Sequence, residues 1–153
     1  MLVIIVFISI IAIGAIMVGT SFTKKRTGVV RNDVTITIGD ATITAEIANT
    51  EAERSSGLGG RDELSTHEGM LFIFDAPTLP SFWMKDMKFP IDIVWIRAHK
   101  IIGFAENVDP QIGAKDIDLK LYTPPNFVDT VLELGPNAVK KLNIKEGNTV
   151  VVH

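Results

Sequence analysis

From residue 34 onward, apolar and polar residues alternate with the period of two that is typical of half-buried β-strands. The segment VTITIGDATITAEIA, residues 34–48, contains two such stretches separated by Gly39-Asp40. A two-residue turn of this composition favours a β-hairpin, and it would place Ile36 opposite Ile43 on one face. The first predicted element of the domain is therefore a hairpin with one apolar face.

Short apolar segments separated by turn residues predict further strands along the rest of the chain. These segments are residues 70–74, 91–96, 100–108, 117–121, 127–134 and 149–152. Two short helices are also predicted. Thr50 with Glu53 fits a capping box, and Gly135-Pro136 begins a second helix that Asn143 ends.

Many short strands with only two helices, and without regular βαβ alternation, predict a β-rich α+β fold. We expect a compact, mainly antiparallel domain, sandwich or barrel-like, over residues 33–153. It is preceded by a basic linker, residues 24–32, and by an apolar segment, residues 1–23.

The apolar segment MLVIIVFISIIAIGAIMVGTSFT, residues 1–23, contains no charged side chain. Because about 20 apolar residues suffice to span a bilayer, it predicts a single transmembrane anchor. The alternative is a cleaved secretory signal, which would have a basic start, a shorter apolar core and an A-x-A-like site. None of these features is clear, so the anchor is the favoured interpretation, and the membrane is the first predicted partner.

Lysine and arginine residues at positions 24, 25, 26 and 31 follow the apolar segment. The positive-inside rule therefore favours a cytoplasmic domain, although the same cluster also suits contact with anionic lipid headgroups. The sidedness thus stays open at this point.

Composition excludes several classes of function. The net charge is −3 and no basic stripe exists beyond the linker, so we expect no nucleic-acid partner. The absence of cysteine excludes disulfides, thiol catalysis and cysteine-type zinc sites. The three histidines, His67, His99 and His153, have no metal-ligand spacing. The sequence therefore predicts neither a metal site nor a cofactor.

Several motifs in fixed order resemble the domain-of-unknown-function family 192. They are GL-x-G-R, GMLFIF, SFWMKDM-x-x-PIDIVWI, KIIGFAENV and VLEL, within residues 33–153. The resemblance implies a compact, mostly β domain, often behind an export signal or anchor, and no established activity. It favours, narrowly, an extracytoplasmic domain.

The chain also departs from the family pattern. Gly59 and Gly60 stand where members commonly have Met, Asp86-Met87 replaces the usual Asn-Thr, and a frequent cysteine is missing. These departures argue against one thiol or amide performing chemistry throughout the family.

The segment SFWMKDMKFPIDIVWI, residues 81–96, contains both tryptophans and the first candidate site residues. Alternation places Trp83 and Lys85 on one face, and it places Asp92 in strand register with apolar residues. A buried carboxylate needs a partner, so we expect an ion pair with Arg61, Arg54 or Lys85. One interpretation is purely structural. The other is a ligand-binding cluster of Arg61, Trp83, Lys85 and Asp92 that recognises an anionic or polar ligand.

Two functional alternatives remain. Asp92 and Glu133 are weak catalytic candidates for an envelope hydrolase, which would need their carboxyl groups about 5–10 Å apart. An accessory role in a membrane complex is also compatible with the sequence. The favoured hypothesis is a membrane-anchored, non-enzymatic domain that binds a protein partner or a small polar ligand. Trp83 would lie in its groove.

Overall fold

The computed structural model describes residues 33–153, and its strands form one curled, seven-stranded sheet. The order across the sheet is β5-β4-β6-β3-β2-β1-β7. The strands are β1 (Asp33–Ile38), β2 (Ala41–Ala48), β3 (Glu68–Thr78), β4 (Ile91–Arg97), β5 (Lys100–Val108), β6 (Val128–Leu134) and β7 (Val150–Val152). The predicted mainly β fold is confirmed.

The N-terminal hairpin forms in the predicted register. Ile36 pairs with Ile43, and both side chains are fully buried. Gly39 occupies the turn with a positive φ of 58°, a conformation that glycine adopts without steric cost. The period-two pattern thus fixed both the pairing and the buried face.

One strand pairing differs from the antiparallel expectation, because β2 and β3 run parallel. The other five pairings among the described strands are antiparallel. A parallel pair requires a crossover, which here contains the helix α1 (Glu51–Ser56). The predicted capping box is present, with the Thr50 side chain accepting from the Glu53 backbone N–H and Glu53 accepting from Thr50 N–H.

The two ends of the sheet come together, which makes it barrel-like. Lys100 on β5 forms a bridge with Thr149, next to β7. The Val150 N–H also donates to the His99 carbonyl at 2.9 Å. Closing a sheet on itself pairs backbone groups that an open edge would leave free.

Two apolar clusters cover the two faces of the sheet, as strand alternation requires. The first contains Leu132 and Leu134 of β6, together with residues of the second helix, α2 (Ala138–Lys141). The second contains Val131 of β6 and lies on the opposite face. The face with the second cluster carries the cleft described below.

Two local predictions need correction. The strand predicted over residues 117–121 is wrong: a short 3-10 turn, Asp116–Asp118, lies there, and the chain regains pairing only at Tyr122. The second helix begins at Ala138, because Asn137 has the left-handed φ of 59°. Asn143 ends this region with a φ of 52°, as predicted.

The predictions for residues 1–23 and 24–32 concern segments outside the described part of the chain. Among residues 33–153, neither helix has the length and apolar content needed to cross a bilayer.

Candidate functional site

A cleft of about 1160 Å³ opens on the sheet face that carries the second apolar cluster. Its walls come from residues 51–60, 80–88 and 111–119, and Phe72 and Glu133 line it from the sheet. Helix α1 and two irregular segments thus surround a patch of the strands β3 and β6.

The second wall is held by aromatic packing and by a backbone bridge. Phe82 and Tyr122 exchange two backbone hydrogen bonds of 2.9 and 2.8 Å. The Phe82 ring meets Phe72 edge-on at 5.0 Å and Trp95 at 5.6 Å between centroids. Such edge-to-face contacts fix ring orientation beyond simple burial. They leave the neighbouring Trp83 side chain 44% exposed in the cleft.

Lys85 joins the second wall to the third. Its Nζ lies 2.5 Å from Asp116 Oδ2, and this contact raises the pKa of Lys85. Both side chains are largely exposed, so the pair adds little to stability but closes one side of the opening. Trp83 and Lys85, predicted to share a face, both line the cleft.

Glu133 is the buried carboxyl group of the cleft, and its pKa is raised far above the ordinary value. It lies on the central strand β6, opposite Met70 on one side and Ile93 on the other, and is 5% exposed. Its carboxyl group makes no hydrogen bond or ion pair with another residue of the described domain, and because no side-chain oxygen there is both fully buried and unpaired, it keeps limited contact with the solvent of the cleft. Burial raises its pKa to about 8, and the positive charge of Arg61 offsets this only in part. Glu133 is therefore mostly protonated at neutral pH.

Glycine at position 57 lets the chain pass close over this carboxyl group. A Cβ atom there would lie 4.0 Å from Glu133 Oε2 and 3.6 Å from the Phe72 ring. Gly57 also ends helix α1 with a φ of 49° and a ψ of −138°, which side-chain-bearing residues rarely adopt. The end of α1 thus shields Glu133 from solvent without supplying it with a partner.

Asp92 lies elsewhere and is fully buried on the other face of the sheet. Its Oδ1 accepts from the Asn107 N–H at 2.6 Å, and its Oδ2 accepts from the Val139 N–H at 2.8 Å. The expected ion pair with Arg61, Arg54 or Lys85 is wrong, because backbone amides take that role. Asp92 fastens β5 and helix α2 to β4.

Arg61 also lies outside the cleft lining. It forms a two-pronged ion pair with Glu46, with nitrogen–oxygen distances of 2.5 and 2.8 Å. This contact raises the pKa of Arg61. The structure therefore does not bring together Arg61, Lys85 and Asp92 as one polar cluster.

The two predicted hydrolase carboxylates are also separated by the sheet. On the neighbouring strands β4 and β6, Asp92 lies opposite Leu134 and Glu133 lies opposite Ile93. The two carboxylate residues are therefore offset by one residue and not directly opposite each other. Because successive side chains alternate between faces, the two carboxyl groups point to opposite sides. Only Glu133 lines the cleft.

Residues 33–153 contain no cluster of three or more histidine, aspartate or glutamate side chains that could hold a metal ion. His67 contacts the Thr42 carbonyl and His153 contacts the Thr37 hydroxyl, both away from the cleft. Asp86 and residues 111–119 line the cleft but were not predicted as parts of the site, because both belong to irregular segments without a periodic pattern.

Comparison with known proteins identifies the domain without identifying an activity. The model of the DUF192 family, described as "Uncharacterized ACR", matches residues 34–152. No match was found among curated proteins.

Two solved structures are similar to the chain. A Novosphingobium aromaticivorans protein of unknown function is 30% identical, with a TM-score of 0.67, over 78% of this chain and 83% of that one. A Sinorhizobium meliloti protein, provisionally named a transcription regulator, is 26% identical, with a TM-score of 0.72, over 82% and 97%. These findings confirm the resemblance drawn from the motifs.

Proposed function

Since the chain belongs to the domain-of-unknown-function family 192, we propose its function from the cleft itself: a non-enzymatic domain that binds a small polar ligand or a protein partner's side chain there. The regulator name of the Sinorhizobium meliloti protein is not extended to this chain. A net charge of −3 without a basic stripe gives little attraction to nucleic acid.

One observation carries the proposal: the Glu133 carboxyl group faces the cleft, 5% exposed and without a partner among the described residues. No side-chain oxygen of the described residues is both fully buried and unpaired, so the Glu133 carboxyl group keeps limited contact with the solvent of the cleft. Its burial still removes most of its hydration, which costs free energy. A ligand that hydrogen-bonds or pairs with Glu133 would recover that free energy. The cost is therefore best explained as part of a binding site.

The shape of the cleft supports a small ligand. Its volume of about 1160 Å³ slightly exceeds the range of ligand pockets, roughly 300–1,000 Å³, so a small ligand fits with room to spare. Trp83 offers an exposed ring beside it, and Phe82 and Phe72 support the wall behind. An apolar wall with one buried polar group is the usual composition of such sites.

A second candidate is an acid-assisted hydrolase, favoured by the pKa of about 8 at Glu133. A carboxylic acid that stays protonated at neutral pH can act as a general acid. Asp92 is unavailable as its partner, being bonded to two amides on the opposite face. Loss of a hydrolytic activity in Glu133→Gln, with binding retained, would favour this candidate over pure binding.

The membrane anchor belongs to the proposal as well. The uncharged residues 1–23 suit one membrane span. The export signals that family members often carry support an extracytoplasmic cleft domain, against the positive-inside rule. Protease added to intact cells should then cleave the domain. Cleavage only after lysis would place it in the cytoplasm.

The binding proposal is tested with the full chain in mild detergent by ligand-observed NMR against a mixture of small amines, alcohols and acids. We expect at least one binder that is lost in Trp83→Ala. Phe127→Ala is the matched control, since Phe127 is 47% exposed but lies outside the cleft. Absence of any binder, or equal loss in both variants, would contradict a ligand site in the cleft and favour an accessory role.

A further inference from the structure

We infer that the cleft recognises a protonated amine attached to a flat apolar group, with the ammonium group paired to Glu133. This inference rests on the proposed binding function and names its ligand class. It narrows the anionic or polar ligand that the sequence suggested to a cationic polar one.

The cations around the cleft already have acceptors. Lys85 pairs with Asp116 at 2.5 Å, and Lys88 pairs with Asp62 at 2.8 Å. The Arg54 guanidinium donates to two backbone carbonyls, at 2.6 and 3.1 Å, and lies 5.4 Å from the centre of the Phe74 ring. An anionic ligand would have to compete with these contacts.

Three of the four carboxyl groups that line the cleft are in the opposite situation. Asp116 is paired with Lys85, but the side chains of Glu51, Asp86 and Glu133 make no hydrogen bond or ion pair within residues 33–153. Glu51 and Asp86 are exposed at the rim, where water solvates them. Glu133 is 5% exposed, so its demand for a partner is the strongest in the cleft.

The aromatic wall adds a second reason for a cation. An ammonium group near an aromatic face is attracted by the ring. Phe72 lies beside Glu133 at the floor of the cleft, and Trp83, the best kind of ring for this interaction, is exposed in the same cleft. A cleft that contains both a carboxyl group and aromatic rings complements an ammonium group on a flat apolar body.

Binding of an amine should make Glu133 release its proton, and this release can be measured. The free amine is protonated in solution, and Glu133 is mostly protonated near pH 7. Forming the ion pair breaks the Glu133 O–H bond and releases that proton to solvent. Affinity should therefore rise with pH up to about pH 8 and then level off until the amine itself deprotonates.

Other charged groups set the background for this titration. Arg61, from the loop after α1, is the charge that lowers the pKa of Glu133. The remaining charged groups that line the cleft are Glu51, Arg54, Lys85, Asp86, Lys88 and Asp116. Burial is the largest influence on Glu133, so its own proton should dominate the pH dependence between pH 6 and about 8.

Calorimetry on the full chain in mild detergent tests the inference with three ligands of one shape: phenethylamine, phenethyl alcohol and hydrocinnamate. We expect the amine to bind at least about tenfold more tightly than the other two, since charged hydrogen bonds contribute about 1.5–3 kcal/mol. Titrations in two buffers of different ionisation enthalpy should show nearly one proton released at pH 7. Glu133→Gln should lose about tenfold in amine affinity and all proton release.

Glu63→Gln is the matched control, because Glu63 is an exposed carboxylate outside the cleft, and this change should alter amine affinity less than about threefold. Thermal unfolding of Glu133→Gln should show an intact fold. Tighter binding of the alcohol or the acid, or amine binding unchanged in Glu133→Gln, would overturn the amine class. Those outcomes leave the binding function intact, provided that binding still depends on Trp83.

Discussion

Asp92 and Glu133 are two buried carboxyl groups one step apart on neighbouring strands, yet their surroundings differ completely. Asp92 is fully buried and accepts two backbone N–H groups, from Asn107 and Val139. Glu133 is 5% exposed, faces the cleft and has no such donors within the described residues. One residue of register places them on opposite faces of the sheet.

The difference teaches how to separate structural from functional buried charge. A carboxylate whose two oxygens are both satisfied joins elements of the fold and has little left to offer a ligand. A carboxyl group that faces a cleft without a partner has lost much of its hydration and has gained no hydrogen bond or ion pair that would compensate for it. Four experiments can test this difference between a structural and a ligand-binding carboxyl group.

The largest expected effect is on stability, from Asp92→Ala. It leaves one buried N–H group, of Val139, and one part-buried N–H group, of Asn107, without acceptors. We therefore expect a loss of about 2–4 kcal/mol in the free energy of unfolding. Asp129→Ala is the matched control, since Asp129 also accepts a backbone N–H, from Ala98 at 2.8 Å, but is only half-buried. For Asp129→Ala, urea unfolding should show a loss of only about 1 kcal/mol in the free energy of unfolding. Equal losses would show that Asp92 has no special structural role.

The second prediction concerns pH and Glu133. Its pKa is 4.5 in the unfolded chain and about 8 in the folded one, so between these values the folded state holds the extra proton. The free energy of unfolding should therefore fall as pH rises, by up to about 1.4 kcal/mol per pH unit. Glu133→Gln should lose this slope and match or exceed the wild type near pH 8. A slope that is the same in both proteins would contradict an unpartnered Glu133.

The third prediction uses Arg61→Gln. Removing this positive charge should raise the pKa of Glu133 further, because Arg61 is the charge that lowers it. The broken pair with Glu46 is partly exposed, so stability should fall by only about 1 kcal/mol. The pH dependence of unfolding should extend to a higher pH than in the wild type. An unchanged range would mean that Arg61 does not act on Glu133.

The smallest expected effect is on stability, from Trp83→Ala. Trp83 is 44% exposed, so we expect a loss of under about 1 kcal/mol, similar to that for Phe127→Ala. Only ligand binding should distinguish the two variants. A large loss of stability in Trp83→Ala alone would show that the ring supports the fold rather than a ligand.

Sequence periodicity predicted much of the fold for a clear physical reason. The hairpin at Gly39-Asp40 and the capping box at Thr50 depend on local chemistry, which a single sequence contains. The parallel pairing of β2 with β3 depends on a long crossover, and nothing local specifies it. The short strand predicted at residues 117–121 failed because its apolar residues remain exposed, Ile117 at 90%.

The candidate site was only partly predictable. Trp83 and Lys85 both line the cleft, but not for the predicted reason. Residues 83–90 form no strand, so an irregular segment, and not strand alternation, brings these two side chains there. Alternation did identify Asp92 as a buried carboxylate, but side-chain cations were expected as its partners where the fold supplies backbone amides. The isolation of Glu133 depends on a helix end, a glycine and a central strand position, which meet only in three dimensions.

The most direct test of the account is the titration of the Glu133 carboxyl carbon by NMR. The full chain, labelled with carbon-13 in its glutamate side chains, would be followed from pH 3 to about pH 10, and Glu133→Gln would identify the resonance. The account predicts a midpoint near pH 8 for this one carboxyl group. A midpoint near the ordinary value of 4.5 would contradict it, because Glu133 would then be ionised and already paired or solvated.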